Sequence, residues 1–121
     1  MLRGFRRNVT LASYIAQKNK ILVVDDEEIV RNMLSLHLQK YGYETMVVGN
    51  GQEALELIQR EECDLIITDI RMPEMDGIQF AEQIRSRFDI PVVYLTGYAD
   101  EEILQRAKIT EPYGYILKPF N

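Results

Sequence analysis

Five short apolar runs constrain this chain more than any other feature of its sequence. They are ILVV at 21–24, MVV at 46–48, LII at 65–67, VVYL at 92–95 and YIL at 115–117. Each is continuous rather than alternating and rich in Val and Ile, the pattern of strands buried on both faces of a parallel sheet. Segments of helical period separate them. Val30, Met33, Leu34, His37 and Tyr41 form one stripe in 27–41, Ala54, Leu57 and Ile58 another in 52–60, and Phe80, Ile84 and Phe88 a third in 77–88. Around 100–108, Asp100 is placed to cap a helix, with Glu101 and Glu102 in its first turn and Arg106 and Lys108 in its last, complementing the helix dipole. Strands alternating with amphipathic helices predict a doubly wound α/β sheet. At 121 residues the chain suffices for one compact domain, burying roughly 65% of its unfolded surface.

In such a sheet, ligands bind beyond the carboxyl ends of the strands, near the point where strand order reverses. The run 21–24 delivers Asp25, Asp26 and Glu27 there, and 65–67 delivers Asp69. The run 92–95 delivers Thr96 and Gly97, and 115–117 delivers Lys118 followed by Pro119. Loops make any one strand end polar, but they do not account for this whole set at one rim. Carboxylates about 4 Å apart repel by roughly 4 kcal/mol per pair at an effective dielectric of 20. Lys118 supplies one positive charge, too few for three acids, so a hard divalent ion with oxygen ligands is expected, most simply Mg²⁺. Acids, an open-coordinated Mg²⁺, a lysine and a hydroxyl together suit a phosphoryl group. Lys118 and the cation neutralise its oxygens, Thr96 donates to it, and one carboxylate attacks. Asp69 is the best nucleophile because it stands alone on its strand, and Asp25 and Asp26 are the adjacent pair expected of metal ligands.

Charge and composition exclude other classes. Residues 1–20 hold five basic residues and no acid, whereas the other 9 basic and all 19 acidic residues lie beyond, a net of −10. That acidic body does not suit direct nucleic-acid binding. No run approaches the ~18 apolar residues of a membrane span, and Asn8, Thr10, Ser13 and Tyr14 break the apolar core a leader peptide would need. The single cysteine, Cys63, rules out an internal disulfide and fits a reducing cytoplasm. It reads as a packed thiol, and His37 as a core or boundary residue. Asn50-Gly51 favours a turn and lacks the lysine and hydroxyl of a phosphate-binding loop.

The segments VVDDEE (23–28), DLIITDIRMPEMDG (64–77), VVYLTGYAD (92–100) and GYILKPF (114–120) together resemble the receiver domain of two-component response regulators. Each is weak alone, but the ordered set of Asp pair, Asp, Thr and Lys-Pro is specific. The resemblance covers 20–120 and implies a flavodoxin-like five-stranded sheet of order 2-1-3-4-5. It implies that Asp69 accepts a phosphoryl group from a phosphohistidine on a sensor histidine kinase or phosphotransfer protein. Asp26 and Asp69 would bind Mg²⁺, Asp25 would help through water, and Arg71 would lend its main-chain carbonyl. Thr96 and Lys118 would contact the phosphoryl oxygens, and Tyr115 would be the switch aromatic that turns when Thr96 moves. Tyr98 and Arg71 would tune the lifetime of the phosphorylated state. The output would be a changed surface on the 100–108 and 113–117 side, read by a downstream protein partner. Two other readings stay open: a receiver-like interaction module that is never phosphorylated, and a Mg²⁺-dependent phosphatase with an aspartyl nucleophile. The latter generally wants a second acid two residues after the nucleophile, where this chain has Arg71.

Receiver domains normally continue into a fifth helix beside the first, whereas this sequence stops at Asn121. The expected domain is thus 20–121 without that helix. The family's common dimer surface uses the fourth and fifth helices, so a homodimer is left open. Residues 1–19 form a basic extension in which Leu11, Ala12, Ile15 and Ala16 make a short helical stripe. A helix there would have the position and direction to fill the place of the fifth; a mobile or partner-bound tail, and a truncated or misread gene, are the other readings left open.

Overall fold

A computed structural model describes residues 20–97 and 101–117 of the chain. The elements are β1 (Lys20–Val24), α1 (Glu28–Lys40), β2 (Glu44–Val48), α2 (Gly51–Ile58), β3 (Leu65–Asp69), α3 (Gly77–Arg87), β4 (Val92–Thr96), α4 (Glu101–Ile109) and β5 (Gly114–Leu117). All five strands pair in parallel, in the order β2-β1-β3-β4-β5. Every apolar run falls within a strand, and four helices lie among the described residues. The expected α/β architecture and strand order therefore hold. The expectations for residues 1–19, Tyr98, Asp100 and Lys118 fall outside the described residues.

Alternation along β1 shows why the runs are continuous. Leu22 and Val24 enter a core with Ala54, Ile58, Ile66, Phe80, Ile84 and Tyr94 on one sheet face. Ile21 and Val23 enter a second core with Leu34, Ile67 and Leu95 on the other. A strand covered on both sides has no polar face. Burying a side chain such as Phe80 or Ile84 stabilises the fold by roughly 1.5–3 kcal/mol. The edge strands β2 and β5 are the exceptions and, among the described residues, are only partly covered.

The helix faces depart in places from the apolar stripes. In α1, Leu34 and Ser35 are buried while Met33 and Tyr41 are exposed, and Val30 and His37 are half-buried. The cause is polar: Ser35 Oγ lies 2.5 Å from Thr45 Oγ1 on β2, and Gln39 Nε2 donates to both hydroxyls. These bonds turn α1 toward β2 and leave Ile29, Met33 and Leu36 on its outer surface. Asn50-Gly51 is the start of α2 rather than a free turn, with Asn50 Oδ1 accepting from Glu53 N at 2.8 Å. Asp76 starts α3 with a reciprocal capping box to Gln79, at 2.8 and 2.9 Å. Cys63 is half-buried as a packed thiol, its Sγ–H donating to Leu65 O, and burial pushes that thiol up from its ordinary pKa.

Candidate phosphoryl and metal site

β1 pairs with β2 on one side and with β3 on the other, so the strand order reverses at β1 and β3. Their carboxyl ends carry Asp25, Asp26 and Asp69. One carboxylate oxygen from each of these three lies within 4.8 Å of the others. Asp25 and Asp69 are buried and Asp26 is exposed, so the cluster opens to solvent on one side.

Backbone contacts fix this geometry. Asp25 N donates to Val48 O on β2, which continues the strand pairing to the rim. Asp25 Oδ1 accepts from Glu27 N at 2.9 Å, and Arg31 Nη1 donates to the Asp25 carbonyl at 3.1 Å. Thr68 Oγ1 donates to the Asp69 carbonyl at 3.0 Å. After Asp69 the chain turns sharply, so that Gly77 N donates to Ile70 O at 2.7 Å. A Cβ at Gly77 would stand 2.0 Å from the Asp69 carbonyl oxygen. Only glycine permits the start of α3 to close so tightly on this strand. Glu74, inside the same turn, adopts φ of 69°, a left-handed conformation costing a non-glycine residue about 1 kcal/mol.

Thr96 is buried at the end of β4, one residue beyond Leu95, the register partner of Asp69. Arg71 is exposed in the turn after β3. Tyr115 lies on β5, half-exposed at 40%, in register with the fully buried Tyr94. Their ring centroids are 6.0 Å apart at 31°. Lys118 comes directly after the last residue of β5 in sequence, outside the described residues. Sequence reasoning missed two contributors: Gly77, whose signal was the Asp-Gly pair opening a helix, and Tyr94, which read only as one residue of an apolar run.

The donor set is three carboxylates converging from two strands, two of them buried. At 4.8 Å and an effective dielectric of 20, the buried Asp25–Asp69 pair repels by about 3 kcal/mol, and exposed Asp26, more strongly screened, adds less. Clustered oxygen donors of this kind fit a hard divalent cation, which relieves the repulsion. Neutralised in this way, the rim also accommodates a dianionic phosphoryl group.

The profile of the response regulator receiver domain family matches residues 21–121. Regulatory protein AtoC of Escherichia coli is 42% identical over 104 residues, which cover 85% of this chain and 23% of AtoC. Transcriptional regulatory protein PdtaR of Mycobacterium tuberculosis is 36% identical over 107 residues, covering 88% of this chain and 52% of PdtaR. The chain thus spans between about a quarter and a half of the length of these relatives. Among solved structures, chemotaxis protein CheY4 of Vibrio cholerae superposes with a TM-score of 0.79 at 38% identity, covering 85% of this chain and 88% of CheY4. The signal receiver domain of a signal transduction histidine kinase from Syntrophus aciditrophicus gives 0.78 at 34% identity, covering 86% and 81%.

Proposed function

The chain belongs to the response regulator receiver domain family of two-component signalling, and on that premise we propose that Asp69 is its phosphoacceptor. The supporting observation is the convergence of Asp25, Asp26 and Asp69 within 4.8 Å at the switch point of the sheet. The donor is a phosphohistidine on a sensor kinase or phosphotransfer protein. An Asp69 carboxylate oxygen attacks phosphorus, the P–N bond breaks, and the imidazole leaves with the electron pair. The product is an aspartyl phosphate, formed by self-phosphorylation of a signalling module rather than by turnover of a substrate.

Each neighbour has a defined task. Asp26, Asp69 and the Arg71 main-chain carbonyl would hold Mg²⁺, with Asp25 helping through water. When bound, the ion neutralises the carboxylates and the transferring phosphoryl oxygens. The Thr96 hydroxyl donates to the phosphoryl group from the end of β4. Lys118, by its place immediately after β5, pairs with the same oxygens. Ile29, exposed in the first turn of α1, and Met33 and Leu36, exposed further along the same helix, give a donor protein an apolar surface to dock on.

Phosphorylation adds a charge of about −1.5 to −2 to a cluster that is already acidic. Thr96 and Lys118 are drawn toward it, which biases α4 and Tyr115. Ile109, Tyr113 and Tyr115 are exposed on this side and form the surface a downstream protein partner reads. Among the described residues no helix is long and apolar enough to cross a membrane. A cytoplasmic module coupling a kinase to a protein partner, with no nucleic-acid contact of its own, accords with the acidic body.

Incubation with acetyl phosphate and Mg²⁺, followed by intact-protein mass spectrometry, tests the proposal. A phosphoryl-sized gain in the wild type, absent from Asp69→Ala and after chelation of Mg²⁺, is the expected result. No gain at all refutes it in favour of an unphosphorylated interaction module. Sustained hydrolysis of small phosphoesters refutes it in favour of a phosphatase.

A further inference from the structure

Tyr94 is fully buried two residues before Thr96, and nothing in the phosphoryl chemistry above employs its hydroxyl. That oxygen lies 2.7 Å from Thr110 Oγ1, which in turn lies 2.6 Å from the Ala107 carbonyl oxygen. A carbonyl can only accept, so the Thr110 proton points to Ala107 and the Tyr94 hydroxyl donates to Thr110. The result is a buried relay from the site strand β4 to the last turn of α4. Leu, Ile or Val at position 94 would fill the core and leave this link unmade. From the other side, Arg85 Nη1 on α3 donates to Ile109 O at 2.7 Å, and Arg85 Nη2 pairs with Glu111 at 2.5 Å. The C-terminal end of α4 is therefore held by both β4 and α3. The Tyr94 ring also packs against Tyr115, its register partner across β4 and β5.

We infer that Tyr94 is a positioning residue that anchors the C-terminal end of α4 through Thr110, so that events at Asp69 and Thr96 displace the N-terminal end of α4 and Tyr115 against a fixed end. The anchor is a property of the fold, and its trigger rests on the phosphoacceptor reading. Because α4 runs from the site rim toward the opposite end of the sheet, anchoring its far end turns a small shift near Thr96 into a tilt of the whole helix. Helix tilt changes an exposed surface without unfolding it.

Amide hydrogen exchange by mass spectrometry on the full chain tests both parts, using beryllofluoride with Mg²⁺ as the phosphoryl probe. Tyr94→Phe keeps the ring, Thr110→Val keeps the shape, and Thr110→Ser keeps the hydroxyl. In the unliganded protein, Tyr94→Phe and Thr110→Val are expected to speed exchange at 107–111 about five- to tenfold, the ratio one lost buried hydrogen bond corresponds to. Peptides from β1 and β3 stay unchanged, and Thr110→Ser behaves as the wild type. With beryllofluoride, the wild type changes at 101–105 and around Tyr115 but not at 107–111, whereas in the two hydroxyl-deleted variants the change spreads to 107–111. Unaltered exchange at 107–111 in both variants overturns the anchor, as does a Thr110→Ser variant that behaves like Thr110→Val. A wild-type change at 107–111 as large as that at 101–105 overturns the fixed end. If beryllofluoride alters no peptide, including the one spanning Asp69, the phosphoacceptor reading fails with the trigger, while the unliganded comparison still decides the anchor.

Discussion

Gly77→Ala is the substitution for which the structure makes the sharpest demand. The new Cβ would stand 2.0 Å from the Asp69 carbonyl oxygen, and 2.9 Å from both the Asp69 carbonyl carbon and Ile70 Cα. All three are backbone atoms, so no side chain can swing aside. A carbon-to-oxygen contact settles near about 3.3 Å, so the start of α3 and the end of β3 must part by about 1.3 Å. That separation breaks the 2.7 Å bond from Gly77 N to Ile70 O, which is buried, at about 1 kcal/mol. Overpacking of a tight contact adds about 1–3 kcal/mol. A total loss of roughly 2–4 kcal/mol is expected, a large share of the 5–15 kcal/mol typical of a domain. Gly114→Ala is the matched control, because nothing lies within 4 Å of a Cβ there and its φ is not left-handed. It should change stability by less than about 1 kcal/mol. Urea unfolding followed by circular dichroism measures both. Because the displaced backbone carries Asp69, Gly77→Ala should also weaken Mg²⁺-dependent beryllofluoride binding, while Gly114→Ala leaves it intact. Equal stability of the two variants would refute the reasoning, since it would mean that the close approach at Asp69 is not enforced.

Three further outcomes rest on particular contacts. Asp26→Asn removes one charge from the acidic cluster. In EDTA it should stabilise the protein by up to about 1 kcal/mol, a partly exposed site being strongly screened, and it should abolish the rise in melting temperature that Mg²⁺ gives the wild type. Burial pushes the Tyr94 hydroxyl up to about 12 from 10, so the folded state keeps its proton after the unfolded state has lost it. The associated stability is therefore whole below pH 10 and falls as pH rises toward 12, by on the order of 2 kcal/mol, and Tyr94→Phe should flatten this alkaline decline in chemical-denaturation scans. Asn50→Ala deletes the N-cap of α2 and should lower stability by about 1 kcal/mol by the same assay, with Asn50→Asp restoring most of it.

The sheet and its rim were legible because both obey short-range rules. Val and Ile runs such as ILVV and LII have no polar face, so they specify central strands, and the residues directly after each run must stand at the rim. That logic brings Asp25, Asp26 and Asp69 together from the sequence alone, and their oxygens do converge. The rotation of α1 was not legible. Counting apolar residues placed Met33 and Tyr41 inward, whereas the Ser35–Thr45–Gln39 hydroxyl and amide bonds draw Ser35 in and leave both exposed. Hydrophobic periodicity carries no information about a polar pair formed ten residues apart. Asn50-Gly51 failed for a related reason: the side-chain acceptor that favours a turn also caps a helix, and the local sequence does not say which it will do. Tyr94 was hidden because its partner, Thr110, lies sixteen residues away at a helix end.

Crowded carboxylates make the rim both unstable and responsive. The buried Asp25–Asp69 pair repels by about 3 kcal/mol, an amount that would spread the loops if their backbones were free, while exposed Asp26 is screened and adds less. They are not free: Asp25 is tied to Val48 and Glu27, and the Asp69 strand is closed by Gly77. The repulsion is therefore held in place, to be relieved by adding positive charge or by moving a neighbouring element that is less firmly tied. At its far end α4 is tied through Tyr94, Thr110 and Arg85. One turn nearer the rim, Arg106 pairs with Asp76 at 3.4 Å, an exposed ion pair worth less than about 1 kcal/mol. A charge change at Asp69 thus acts on a frame that is rigid around the carboxylates and anchored at the end of α4 away from them. On the anchoring proposal, motion is expected at the start of α4 and at Tyr115, because displacing the far end would break the buried bond between Tyr94 and Thr110.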